Sequence, residues 1–417
     1  MKPRLLTADV LVIGAGPAGC LAAAQLRRAG LSVIVVEREY FPRFVIGESL
    51  LTRCNELLHE AGLLTAIEAR GYNIKRGVSF RRNDEENRIC FADGLSGDWP
   101  TSFQVPRDDF DQTLATAVRG MGADLYFGQE VQAASTELGR ALLPTRDLES
   151  GETSTFEGKM LLDCSGYGRV LARLFELELA SPLPSRAACF THVFGDVRDE
   201  GDRAGDIWVV SHPDGGWMWV IPFSNGRTSV GWVGDTAALD ARAGTDRERL
   251  RAIIEEDPNV SLRMAQAAAV LPTRRIAGYS RKIREWYGPG WVIAGNAGDF
   301  LDPVFSSGVA LAMESASIAA RLTVRQLAGE TVDWEGQYRQ VMQSAVGVFR
   351  GMVEAWYRGD LPELIYASVD SPAARSMITS VLSGYALNPR NPLVRDTPAM
   401  ITGLLRQARA PAGAQGR

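Results

Sequence analysis

Apolar runs of strand length alternate with a helix-length stretch through the first forty positions. Residues 9–13 are apolar after Asp9, residues 20–29 are rich in Ala and Leu until Gly30 stops them, and residues 31–36 are apolar again up to Glu37. Uninterrupted apolar runs of this length mark strands buried on both faces, as in a parallel sheet, and the stretch between them suits a crossover helix. The pattern predicts a βαβ unit. Gly14-Ala15-Gly16-Pro17-Ala18-Gly19 stands at its first strand-to-helix junction. There the first glycine permits a tight turn, the second lets a pyrophosphate approach the backbone, and the third allows close helix packing. The helix N-terminus faces the phosphates. Glu37 ends the second strand, where a carboxylate accepts hydrogen bonds from an adenosine ribose. These positions predict a dinucleotide site and leave FAD and NAD both open.

Later segments extend the alternation. A polar helix is predicted up to Ala61, after Phe41-Pro42-Arg43 and Gly47-Glu48-Ser49, and another opens at Arg107 and ends at Gly120 and Gly122. An apolar strand at 160–162 leads into Asp163-Cys164-Ser165-Gly166, as a second loop from a parallel sheet would. From about 187 to 233 the period shortens to two, with Trp, Val and Phe alternating between turn signals at 213–216 and Asn225-Gly226. This predicts an inserted antiparallel sheet. Within it, Trp217 and Trp219 share one face of a strand that ends in Ile221-Pro222. Such a pair either packs in a core or faces a ligand. A buried strand returns at 291–294, followed by the loop 295–308 and a helix to Ala328. Residues 334–405 read as helical with aromatic clusters such as Trp356 and Tyr357, and the tail after Arg406 reads as loose.

Composition narrows the function. A chain of 417 residues predicts two or three cooperating units around a sizeable core. The net charge of −5, without a basic stripe, argues against nucleic acid as a partner. The five cysteines (Cys20, Cys54, Cys90, Cys164, Cys189) lack C-x-x-C spacing and predict free thiols in a reducing cytoplasm. His59, His192 and His212 form no H-x-x-x-H pair, so no metal site and no Ser-His-Asp triad is expected. Lys2 and Arg4 precede an apolar stretch, but Asp9 interrupts it, and no run predicts a signal peptide or a membrane span.

The dinucleotide motif, the inserted sheet and the late strand-loop-helix together resemble the FAD fold of aromatic hydroxylases. Three further elements resemble flavin-dependent halogenases: Trp217-x-Trp219-x-Ile221-Pro222, the run 300–308, and Lys75 in Asn73-Ile74-Lys75-Arg76-Gly77. Asp302-Pro303-Val304-Phe305-Ser306-Ser307-Gly308 is similar to the branch acting on phenols or pyrroles. The resemblance implies an α/β, doubly wound, glutathione-reductase-like FAD fold over 1–330, a substrate-side antiparallel sheet interleaved at about 76–103 and 186–275, and a C-terminal helical region over 331–417 with a loose tail.

It implies an enzyme of secondary metabolism, including antibiotic biosynthesis, that turns halide and O2 into hypohalous acid at an FAD reduced by a separate flavin reductase. The acid then chlorinates or brominates an electron-rich aromatic ring, free or carrier-bound. By the same resemblance Ser307 and Gly308 hold the halide, and Lys75 holds the hypohalous acid or carries it as a chloramine. Trp217, Trp219, Ile221, Pro222, Phe305 and Ser306 would line the tunnel between them. Gly14, Gly16, Ala18, Gly19, Glu37, Arg43, Glu48, Ser49, Arg107, Asp163, Gly295, Asn296, Pro303 and Val309 would hold FAD.

Two departures refine the picture. Asn296 replaces the usual Asp after Gly295 and can still bond a ribityl hydroxyl. Phe305 stands where tryptophan-acting halogenases resemble one another in carrying Glu, which argues against free tryptophan as substrate. The short segment after 330 is more similar to enzymes acting on carrier-tethered pyrroles. A monooxygenase, a prenyl-chain reductase of the same fold and a non-catalytic flavin protein are the competing readings.

Overall fold

The computed structural model describes residues 4–95, 99–367 and 371–409. The βαβ unit consists of strand Val10–Ile13, helix Pro17–Arg28 and strand Val33–Val36, with every strand residue buried. The helix begins earlier than residue 20 because Pro17 suits its first turn, where a missing N–H breaks no hydrogen bond. Six strands form the central sheet, in the order Tyr287–Gly288, Trp291–Ile293, Met160–Asp163, Val10–Ile13, Val33–Val36 and Asp124–Tyr126. Asp163 pairs with both Ile13 and Ile293, and Ile13 pairs with Val36, all in parallel register. Four strands therefore stop in one row, and Gly14, Glu37, Cys164 and Ala294 leave the sheet at one level. The helix Ser307–Leu327 packs on Pro17–Arg28, where Gln25 donates to Ser317 at 2.9 Å.

The inserted sheet has eight strands. Arg186–Phe194, Thr228–Asp235, Trp217–Pro222 and Ile207–Ser211 are neighbours, and Ile207–Ser211 pairs in parallel with Gly77–Arg82. That pairing brings the hairpin from residue 77 to Cys90 into a sheet made mostly of much later residues. Alternation then separates two cores. Trp217, Trp219 and Ile221 face the main core, while Met218 and Val220 join Trp208 and Trp232 in a second cluster on the other face.

The C-terminal helices, among them Gln340–Tyr357, contribute to the same main core as Val10. The tail differs from expectation: helix Thr397–Arg409 continues past Arg406 because Leu404 and Leu405 are buried and Arg409 pairs with Glu363. Residues 410–417 lie outside the described residues. All five cysteines are free thiols. Among the described residues no helix is long and apolar enough to cross a membrane.

Glycine is required at two of the three motif positions by space. Gly14 has φ +94°, and a Cβ there would sit 2.6 Å from the carbonyl oxygen of Cys164. A Cβ on Gly19 would fall 1.9 Å from the carbonyl oxygen of Gly14, whereas one on Gly16 would meet nothing closer than 3.6 Å. Gly19→Ala is expected to destabilise the fold by about 1–3 kcal/mol, as overpacking does, in urea titrations of the FAD-free protein. Gly16→Ala should leave that stability unchanged and weaken FAD binding instead. Equal loss of stability in both variants would contradict this assignment.

Candidate active site

The row of strand ends opens into a cavity of about 1040 Å³ lined by Gly14, Gly16, Ala18, Glu37, Arg43, Arg107, Ser165, Asn296, Gly308 and Val309. Its shape follows from the parallel sheet, whose carboxyl ends and helix N-termini leave a crevice for ligands. Glu37 accepts from the backbone N–H of Ala15 at 2.8 Å and from that of Glu39 at 2.9 Å, one bond on each carboxylate oxygen. A carboxylate has about four lone-pair sites, so two remain for ribose hydroxyls. Arg107 donates to both oxygens of Asp111, which also takes Arg43 at 2.8 Å. These ties hold two guanidinium groups on the cavity wall. The backbone room over Gly16, the free capacity of Glu37 and the cavity's size fit an FAD.

Three expected cofactor residues act from behind this wall. Asp163 is fully buried and does not line the cavity; its oxygens accept from the N–H groups of Ser165 and Leu171, fixing the loop that does. Burial raises its proton affinity against those bonds. Gly295, at φ +66°, donates its N–H to Ser315 and turns the chain so that Asn296 reaches the cavity. Gly19 is likewise a packing residue.

Beyond Arg107 and Asn296 lies a second, small cavity of about 80 Å³. It shares Ile46, Arg107, Tyr167, Asn296, Gly308 and Val309 with the large one. Its remaining wall brings together Glu48, Ser49, Trp217, Trp219, Ile221, Pro303 and Ser306, from segments far apart in the chain. The indoles of Trp217 and Trp219 lie 5.8 Å apart, and each N–H is satisfied, by the hydroxyls of Tyr357 at 3.1 Å and Ser229 at 3.0 Å. Core packing and cavity lining are thus both true of the pair. Ser306 holds φ +55° at the start of helix Ser307–Leu327, and no side chain caps that helix. The first-turn amides therefore keep their donors beside the cavity. Ser307 is buried by backbone and side chains, and Phe305 packs edge-on against Trp356 at 5.9 Å instead of lining the cavity. Pro222 lies off the cavity too; its carbonyl accepts from the Asn73 side chain at 3.0 Å.

That hydrogen bond ties the tryptophan strand to the strand Asn73–Lys75. Lys75 is fully buried, its Nζ donating to the Leu50 carbonyl at 3.0 Å and lying 5.1 Å from the Phe91 ring centre. It lies behind the segment 48–50 and lines neither cavity. Burial pushes its pKa down to about 7, against a smaller raising effect from Asp206. A solvated lysine at a strand end would show none of this.

Several neighbours were not singled out by the sequence. Asp302 accepts from Tyr357 at 2.9 Å and Tyr279 at 3.3 Å, and caps the turn Pro303–Phe305 through the N–H of Val304. Tyr357 therefore joins the tryptophan wall to the loop that starts helix Ser307–Leu327. The aromatic cluster at Trp356-Tyr357 was the available signal. For His192, which meets Glu48, no signal existed, since the two are 144 positions apart.

Residues 7–335 match the family model for an FAD binding domain. The chain is 30% identical over 335 residues to the 1H-pyrrole-2-carbonyl-(peptidyl-carrier protein) brominase of Pseudoalteromonas luteoviolacea, spanning 78% of this chain and 79% of that protein. It is 26% identical over 407 residues to the corresponding chlorinase of Pseudomonas fluorescens, spanning 90% and 89%. Among solved structures, a flavoprotein/dehydrogenase from Cytophaga hutchinsonii is 40% identical, with a TM-score of 0.93, over 96% of this chain and 98% of that one. The fold and the cavity define an FAD-binding oxidoreductase. Within that class, the chain belongs to the flavin-dependent halogenases.

The buried amine generates a pH prediction. In the unfolded chain Lys75 keeps its proton up to about 10.5, and in the folded chain it releases it near 7. Between those values the unfolded state binds more protons, so folding stability from this group rises with pH. Urea unfolding of the wild type and of Lys75→Met should show the wild type gaining, relative to the variant, on the order of 1 kcal/mol per pH unit above pH 7. Parallel pH dependences in the two proteins would contradict the assignment.

Proposed function

We propose that this chain halogenates an electron-rich aromatic ring, a pyrrole tethered to a carrier protein, using FAD delivered in reduced form by a separate flavin reductase. The observation that carries the proposal is the small cavity that joins the tryptophan pair and the uncapped start of helix Ser307–Leu327 to the far end of the FAD cavity. Reduced FAD, when bound, would supply two of the four electrons that O2 takes up, the halide giving the other two as it becomes hypohalous acid with release of water. Everything else follows from the chain's own residues.

The amides around Ser307 and Gly308 offer a desolvated halide the donors of a helix N-terminus without a competing cationic side chain. Trp217, Trp219 and Ile221 share this wall, and their bulk beside the flavin hinders an aromatic ring from approaching it directly, which disfavours hydroxylation. Lys75 lines neither cavity, so its role requires the segment 48–50 to admit the oxidant; its amine, with proton affinity lowered to near neutrality, then either hydrogen-bonds hypohalous acid or accepts its halogen. The two pyrrole-carrier relatives support a tethered pyrrole as the substrate.

The test combines the protein with FAD, a flavin reductase, NADH, O2 and chloride or bromide, offering a pyrrolyl carrier protein, phenols and indoles. Mass spectrometry should show a halogen isotope pattern on the carrier-bound pyrrole. Lys75→Ala should lose that product while still consuming NADH and releasing hydrogen peroxide. Product that gains oxygen without halogen, or full halogenation by Lys75→Ala, would overturn the proposal.

A further inference from the structure

The scheme above leaves one buried pair unused. Glu48 Oε1 and His192 Nε2 lie 2.7 Å apart, with side chains only 1% and 2% exposed. Glu48 lines the small cavity, yet its second oxygen, Oε2, has no hydrogen-bond partner, and neither has Nδ1 of His192. Two rings, Phe44 at 5.6 Å and Phe223 at 5.4 Å, flank the imidazole. An orphaned carboxylate oxygen in such a wall is costly unless a ligand or a proton meets it.

Arg107 feels the charge of Glu48 but makes no hydrogen bond to it, spending its guanidinium on Asp111 and on the carbonyls of Ile46 and Gly47. Arg43 is shared between Asp111 and Glu39. Those two cations and two anions balance. Tyr167 also faces the cavity and is uncharged, its hydroxyl pushed further from ionisation by burial. Arg274 lies over the Phe44 ring at 4.2 Å, and the strand partner of His192 is Ser229. Lys75 is turned to Leu50. Among the described residues His192 is therefore the group in direct ion-pair contact with Glu48.

A halide entering this cavity adds a second negative charge beside the first. We propose that halide enters together with one proton held by the Glu48–His192 pair, so that halide binding and protonation of the pair are linked. The inference rests on the halogenase reading, which supplies the halide. Linkage is reciprocal: a proton that favours halide is favoured by halide to the same degree. Halide affinity then falls as pH rises, by up to about tenfold per pH unit while the pair loses its proton. His192 acts here as a positioning residue for charge, through Glu48.

Bromide is titrated into the FAD-loaded full chain, followed by flavin absorbance from about pH 5.5 to 8.5. In parallel, proton uptake on bromide addition is read with an indicator in weak buffer. The expected result is uptake approaching one proton per bromide bound, with affinity falling as pH rises. His192→Gln, which keeps a donor toward Glu48, should bind bromide weakly and without pH dependence. Glu48→Gln should bind it at least as tightly as the wild type at high pH, again without pH dependence. FAD content and thermal melting verify that both variants fold, and the wild-type proton count stands without them. Bromide binding with no proton uptake, or the wild-type pH dependence kept in His192→Gln, overturns the linkage alone. Absence of bromide binding at every pH overturns the halide site, and the linkage with it.

Discussion

Parallel register across the central sheet is the constraint on which the site depends. Because Ile13, Val36, Asp163 and Ile293 stand in one row, the chain leaves four strands at a single level and must turn there. Each turn exposes backbone amides toward the same crevice. The Gly14 turn fits only because it lacks a Cβ, which would stand 2.6 Å from the Cys164 carbonyl oxygen, so the first and third of these loops are packed as one unit. Asp163, at the end of its strand, fastens that third loop from below. A slip of one residue in any of these pairings would carry a loop away from the ligand.

The second sheet meets that crevice through Phe190, Arg274 and Ile276 at the large cavity and, at the small one, through Ile207 and one face of the strand Trp217–Pro222. Its two indoles are fully bonded, so they are rigid, and Tyr357 anchors one of them to Asp302. Helix Gln340–Tyr357, the tryptophan strand and the loop before helix Ser307–Leu327 therefore share one hydrogen-bond junction. Rigidity of that kind is what a small, dry compartment for an anion requires. The C-terminal helical region contributes directly to the geometry of the site.

Local patterns carried much of this fold. Buried strands, the glycine turn, the crossover helix and the alternation at Trp217 and Trp219 depend on neighbours within a few positions, and each appears in the structure close to its expected place. Burial set by distant contacts was not legible. The resemblance places Lys75 in a tunnel, yet its burial against Leu50 and Phe91, off both cavities, is set by contacts its own segment does not encode. Asp163 and Gly295 read as cofactor ligands, and both instead hold the loops that reach the cofactor. Glu48 meets His192 across 144 positions, a pairing that no periodicity encodes. The helix through Arg409 persists because buried leucines override a composition that suggests a loose tail.

The central claim is that the compartment between the tryptophan pair and the start of helix Ser307–Leu327 is a halide site at the end of the FAD cavity. Anomalous diffraction at the bromine edge, from crystals of the FAD-loaded protein grown in bromide, tests it most directly. The account predicts one ordered bromide at the amides of Ser307 and Gly308, facing Trp217 and Trp219. A compartment free of bromide, with FAD bound in the adjoining cavity, would contradict it.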